Sequence, residues 1–115
     1  MHELSIALSI VEMAQEEAEL RGNVQIQAVH LRLGLLSGVA KDALLSSYEM
    51  ACETTPLEGS RLIIEEIPVE IYCSNCQTQR PVYSIQYFCC AECGTPSAEV
   101  TRGKELEVFA LEIRE

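Results

Sequence analysis

Residues 72–96 read YCSNCQTQRPVYSIQYFCCAECGTP, and their cysteine spacing decides how the rest of the chain must fold. Cys73 and Cys76 form one Cys-x-x-Cys pair and Cys90 and Cys93 a second, with thirteen residues between the two pairs. Two residues between thiolates let a tight turn aim both sulfurs at one ion, and two such turns facing each other complete a tetrahedron. Gly94 suits the sharp turn after the second pair. Four thiolates around Zn²⁺ leave a net charge of -2, partly offset by backbone N–H groups in the turns. A closed four-sulfur shell has no open position, so the spacing predicts structural rather than catalytic zinc, with disulfides or a redox dithiol as the alternatives. Zinc affinity on this scale, about 10–16 kcal/mol in small peptides, can fold an insert with little core of its own. Tyr72, Val82, Tyr83, Ile85, Tyr87 and Phe88 would be its apolar packing. Cys89, with three residues between it and Cys93, would make a poorer knuckle and is expected to be free.

Working outward, Leu4, Ala7, Leu8, Val11, Ala14 and Ala18 recur at helical spacing up to a stop near Gly22, with Glu16, Glu17 and Glu19 as the solvated face. Residues 24–35 alternate in two phases, Val24, Ile26 and Ala28, then Val29, Leu31, Leu33 and Leu35, which predicts a long strand with a bulge or twist near Ala28 and Val29. His30 falls on its polar phase and is expected to be solvated. Leu44, Leu45, Tyr48, Ala51 and Cys52 mark a second amphipathic helix closed by Pro56 and Gly59, with Cys52 a small core hydrophobe. The run 60–72 predicts a second strand leading straight into the cysteines, with Pro68 at an edge or strand end. After them, Leu106, Val108 and Ala110 alternate with Phe109, Leu111 and Ile113 in a third strand. Being apolar on both faces, that strand is either core or a surface for a partner or a second copy. The expected architecture is α+β: a small three-stranded sheet covered by two helices, with an inserted four-cysteine zinc-knuckle module. The boundaries place an α/β domain over residues 1–68 plus 101–115 and the zinc-binding insert over 69–100.

Eighteen acidic against eight basic residues in 115 give a formal charge of -10. Such a chain repels phosphate backbones, which argues against nucleic acid as a partner. No stretch approaches a membrane span, and the first residues lack a secretory signal, so a cytoplasmic, reducing compartment is expected. Six cysteines there point to metal rather than disulfides. No serine, histidine and acid set or glycine-rich phosphate loop is visible, and GLLSG at 34–38 reads as a turn.

The chain opens MHELS. A free α-amine on Met1, the backbone nitrogen of His2 and its imidazole can close fused five- and six-membered rings around one ion, with the amide proton displaced. Planar nitrogen-rich coordination is what Ni²⁺ and Cu²⁺ prefer. Glu3 adds a further backbone nitrogen and a nearby carboxylate. An exposed, incomplete shell beside a closed thiolate cage describes one transferable metal and one fixed one, which suits a chaperone better than an enzyme.

MHELS at 1–5, VHLRLGLLSGV at 29–39, LEGSRLIIEEIP at 57–68 and the two cysteine pairs together resemble the HypA/HybF hydrogenase maturation factors over nearly the whole chain. The resemblance implies a metallochaperone, not a catalyst, that binds Ni²⁺ through Met1, His2 and Glu3 and holds structural zinc on Cys73, Cys76, Cys90 and Cys93. It implies delivery of nickel to the large-subunit precursor of NiFe hydrogenase together with the maturation GTPase HypB, and, in some members, service to urease maturation. The family often has proline after the third zinc cysteine, where this chain has Ala91, and some members recruit a histidine near the zinc module, where this insert has none.

Two other readings carry different expectations. A zinc-ribbon interaction module for nucleic acid would need basic residues, and Arg80 is the only one between Cys76 and Cys90. A rubredoxin-like iron electron carrier could use the same four thiolates, and would be red where the zinc protein is colourless.

Overall fold

The computed structural model describes residues 2–114. Elements follow in the order α1 (Glu3–Leu20), β1 (Gln25–Gly34), α2 (Lys41–Cys52), β2 (Arg61–Ile67), β3 (Glu70–Cys73), β4 (Thr78–Ser84), β5 (Tyr87–Cys90), β6 (Val100–Arg102) and β7 (Leu106–Arg114). They form a three-stranded sheet ordered β2-β1-β7 and a four-stranded sheet ordered β5-β4-β3-β6, so the fold is α+β with two helices, as the patterning predicts. The chain divides into two compact units, residues 1–32, 38–65 and 107–115 in the first and 33–37 with 66–106 in the second.

In the first unit, α1 buries Ala7, Ile10, Val11, Ala14 and Ala18. Small alanines at this spacing let it approach α2, which contributes Leu44, Tyr48, Ala51 and Cys52 to the same core as Ile26, Val29 and Leu31 of β1. Leu4 and Leu8, expected on the buried stripe, are 43% and 51% exposed, and Ile10 takes their place. The helix face is thus rotated from the sequence reading, because alanine rather than leucine fits the tight helix-to-helix seam. Along β1 the buried residues shift phase from Ile26 and Ala28 to Val29, Leu31 and Leu33, at the predicted position. On the other face of β1, Arg32 bridges Glu65 and Glu107 at 3.8 and 3.6 Å and lies 4.0 Å over the Phe109 ring. His30 is not solvated as expected, since its Nε2 sits 2.8 Å from Glu112 Oε1 and its ring meets Phe109 edge-on. Those contacts partly cover the apolar outer face of β7.

In the second unit, the expected single strand over 60–72 is broken after Ile67 by Pro68, whose missing N–H ends the ladder. The chain resumes as β3, which pairs antiparallel with both β4 and β6. The insert therefore has a sheet of its own, which the sequence reading lacks. Tyr83 and Tyr87, expected among its packing, are 88% and 73% exposed at the tip of the β4–β5 hairpin, and Ile85 is exposed as well. Of the expected set only Tyr72, Val82 and Phe88 are half-buried, and the interior of this unit is filled instead by Ile67, Val69 and Ile71 beside Cys73 and Cys90.

The segment read as a turn at 34–38 is a strap packed into this unit. Gly34 N–H donates to Glu105 O at 2.7 Å, Leu35 N–H to Ile67 O at 3.1 Å, and Leu36 N–H to Gly103 O at 2.7 Å. A Cβ at Gly34 would lie 2.1 Å from Gly103 O, and Gly103 itself holds φ +121° with Val69 at 3.1 Å from where its Cβ would be. Two glycines back to back are what allows main chain to touch main chain here.

Candidate metal centres

The turn after β3 and the turn after β5 are built alike. In the first, Gln77 N–H donates to Cys73 O at 2.7 Å, and in the second Gly94 N–H donates to Cys90 O at 2.9 Å. Both residues are left-handed, φ 57° for Gln77 and 77° for Gly94. Each turn also gives a backbone N–H to a sulfur at 3.4 Å, Cys76 to Cys73 and Glu92 to Cys90. Glycine in the second turn is the residue such a backbone favours; glutamine in the first is the exception no sequence rule would have flagged.

These turns bring Cys73, Cys76, Cys90 and Cys93 together with all four sulfurs within 4.8 Å of one another. Cys73 to Cys93 is 3.5 Å, Cys76 to Cys93 3.7 Å and Cys76 to Cys90 3.9 Å. A tetrahedron with Zn–S bonds of about 2.3 Å has edges of about 3.8 Å, so the thiols already stand where a zinc ion would hold them. All six cysteines are free thiols, and Cys89 and Cys52 lie outside the cluster. Cys52 is buried, with Ser60 Oγ 3.9 Å away and Tyr48 hydroxyl 2.7 Å from that same oxygen.

Cys76, Cys90 and Cys93 do not ionise alike. Cys93 is held down to about 5, first by the Thr95 hydroxyl, whose oxygen is 3.1 Å from the sulfur, then by the Asn75 side chain and the Thr95 N–H. Cys90 is also lowered: burial opposes ionisation, but the N–H groups of Cys93 and Glu92 outweigh it. Arg80 pulls Cys76 down, yet the sulfurs of Cys93, Cys73 and Cys90 together with burial push it up to about 11. Crowded sulfurs resist carrying four charges at once, and a dication is what relieves them. Asn75, Thr95 and Arg80 are functional neighbours the sequence reading misses; Arg80 figures there only as too little charge for nucleic acid.

The amino-terminal residues belong to the first unit. Met1 lies outside the described residues. His2 is exposed, in extended backbone (φ -90°, ψ 91°), and its carbonyl accepts the first bond of α1, from Ile6 N–H at 3.2 Å. Glu3 is half-buried, and its carboxylate accepts the Ala40 N–H at 3.1 Å, at the residue that precedes α2. That bond is the main cause, with the Glu3 N–H second, that holds its carboxyl below the usual range. The carboxylate expected beside the metal is therefore engaged as a staple between α1 and the start of α2, and stands where a helix favours negative charge.

An α+β chain with a preformed tetrathiolate site and an exposed histidine at its first helix is, as a class, a small metal-binding protein. A family model described as "Hydrogenase/urease nickel incorporation, metallochaperone, hypA" matches residues 1–113. The chain belongs to this HypA family of nickel metallochaperones. It is 48% identical over 112 residues to a hydrogenase maturation factor HypA of Roseiflexus sp. (strain RS-1), covering 97% of this chain and 91% of that one. The HypA of Geobacter metallireducens (strain ATCC 53774 / DSM 7210 / GS-15) is 40% identical, covering 98% and 99%. The solution structure of the nickel metallochaperone HypA from Helicobacter pylori superposes with a TM-score of 0.67 at 25% identity, covering 98% and 97%. A second HypA solution structure superposes at 0.71, with 26% identity and 99% and 97% covered. No described helix is long and apolar enough to cross a membrane.

Proposed function

We propose that this metallochaperone carries Ni²⁺ at its amino terminus, on the Met1 α-amine, the backbone and imidazole nitrogens of His2 and the backbone nitrogen of Glu3. Cys73, Cys76, Cys90 and Cys93 hold Zn²⁺ as a structural ion, and the nickel passes to a NiFe-hydrogenase large-subunit precursor in the cytoplasm. The maturation GTPase HypB is the expected co-worker and urease maturation a second outlet. Nickel is assigned to the α/β domain of residues 1–68 and 101–115, and zinc to the insert of residues 69–100. The observation that carries the reading is His2 exposed in extended backbone immediately before α1, one residue from a Glu3 pinned to Ala40. Backbone nitrogens there lie ahead of the first intrahelical bond, so a metal can displace their protons without breaking the helix. The Glu3 carboxylate supports the site by position instead of by ligation.

The test is nickel titration with parallel zinc analysis. His2→Ala should abolish tight nickel binding and leave zinc stoichiometry and far-UV signal intact. A residue added ahead of Met1 moves the amine away from the imidazole and should weaken nickel binding as well. Unchanged nickel affinity in His2→Ala would sink the assignment. Cys73→Ser should lose zinc and the fold of the insert, and a zinc-free native protein of unaltered stability would refute the structural role. A red colour would replace zinc by iron.

A further inference from the structure

Strand register puts one cation in the middle of the thiolate face. In antiparallel pairing, residues directly opposite each other point to the same side of the sheet. Thr78 of β4 is opposite Cys73 of β3, and Val82 of β4 is opposite Cys90 of β5. Arg80 lies two residues from each along β4 and opposite Ile71, so it shares the side that carries both ligand cysteines and stands midway between them. Its Nε is shielded from solvent and has no hydrogen-bond partner of its own, so it is a buried donor on that side of the sheet. Its charged form is favoured first by a side-chain hydrogen bond to Cys76, against a smaller penalty from burial, and then by the nearby charges of Cys76, Glu92 and Cys90. No other basic residue lies between Cys76 and Cys90.

We propose that Arg80 is a positioning residue and counter-charge for the tetrathiolate centre, set against the Cys76 sulfur to offset the net -2 of a zinc-loaded site and slow the loss of its ion. The inference rests on the reading of that centre as a zinc site. A permanently charged, planar guanidinium suits this position, because it cannot deprotonate beside thiolates and offers several donors to neighbouring sulfurs. The two backbone N–H groups at 3.4 Å serve Cys73 and Cys90, and the Asn75 side chain and the Thr95 N–H serve Cys93. Arg80 thus supplies the sulfur that those donors leave out. Removing an outer partner of this kind costs about 10–100-fold in metal affinity.

The experiment follows zinc transfer from the full-length zinc-loaded protein to excess chelator, with far-UV signal and metal content recorded first. Arg80→Gln should hold zinc at least about 10-fold less tightly and lose it faster, while Arg80→Lys, which keeps the charge, should recover most of the difference. Equal release from wild type and Arg80→Gln would overturn the proposal, as would a lysine variant no better than glutamine. Wild-type protein that binds no zinc on these cysteines would instead remove the zinc reading, and the counter-charge with it.

Discussion

Gly34→Ala isolates the contact between two stretches of main chain. The added Cβ would sit 2.1 Å from Gly103 O, 2.2 Å from Gly103 C and 2.7 Å from Glu105 N, all backbone atoms that no side-chain rotation can move aside. Overpacking of this sort costs about 1–3 kcal/mol. Relief requires the strap to lift, which weakens the Gly34 to Glu105 and Leu36 to Gly103 hydrogen bonds, both 2.7 Å, at about 1 kcal/mol each. Together the loss comes to about 3–5 kcal/mol, a large share of the 5–15 kcal/mol that ordinarily holds a domain together. At about 4 °C per kcal/mol for a chain of this size, the zinc-loaded protein should melt about 10–20 °C lower in scanning calorimetry. Amide exchange at Gly34 and Leu36 should accelerate before the rest. Gly22→Ala is the control: its φ is +84° but nothing lies within 4 Å of the new atom, so only backbone strain of about 1–2 kcal/mol is added. If the two variants melt together, or Gly34→Ala falls by less than about 2 °C, close main-chain packing is not what that glycine provides.

Protein stripped of metal and treated with iodoacetamide at pH 6.5 should be alkylated first at Cys93, whose pKa of about 5 leaves it thiolate, and last at Cys76, at about 11; the reverse order would refute the assignment of Thr95 and Asn75 as the groups that stabilise the Cys93 anion. Glu3→Gln should flatten the acid limb of the stability curve. Its carboxyl pKa is lowered in the folded state, so the stabilisation is present above the ordinary carboxylate range and is lost as pH falls through the folded value. Parallel acid unfolding curves for the two proteins would count against the Ala40 staple. Tyr48→Phe removes the 2.7 Å bond to Ser60 from a side chain only 3% exposed and should cost about 1 kcal/mol in denaturant titration, with nickel and zinc content unchanged.

The sequence is most legible where chemistry is local. Two residues between cysteines are a geometric instruction, and the four thiols duly converge within 4.8 Å. The change of phase at Ala28 and Val29 is equally local and equally visible in burial. Reading fails where the deciding contact comes from far along the chain. Glu3 meets Ala40, His30 meets Glu112, and Gly34 meets Gly103, and no periodicity announces any of the three. Tyr83 and Tyr87 mislead for another reason: aromatic residues suggest a core, but the apolar packing of this unit comes from Ile67, Val69 and Ile71 instead. Arg80 is visible in the sequence as a charge, and becomes informative only when strand register shows which face it shares with Cys73 and Cys90.

The hydrogen bond from Ala40 to Glu3 also sets a leash. Consecutive Cα atoms are about 3.8 Å apart, so an imidazole one residue ahead of a pinned glutamate has almost no reach of its own. Under the proposed assignment of nickel to His2, the cargo ion cannot be swung outward on a trailing arm to search for a recipient. The recipient has to bring its ligands to the amino end of α2, and hand-over becomes a matter of ligands exchanging at close quarters, one for one, before the ion lets go.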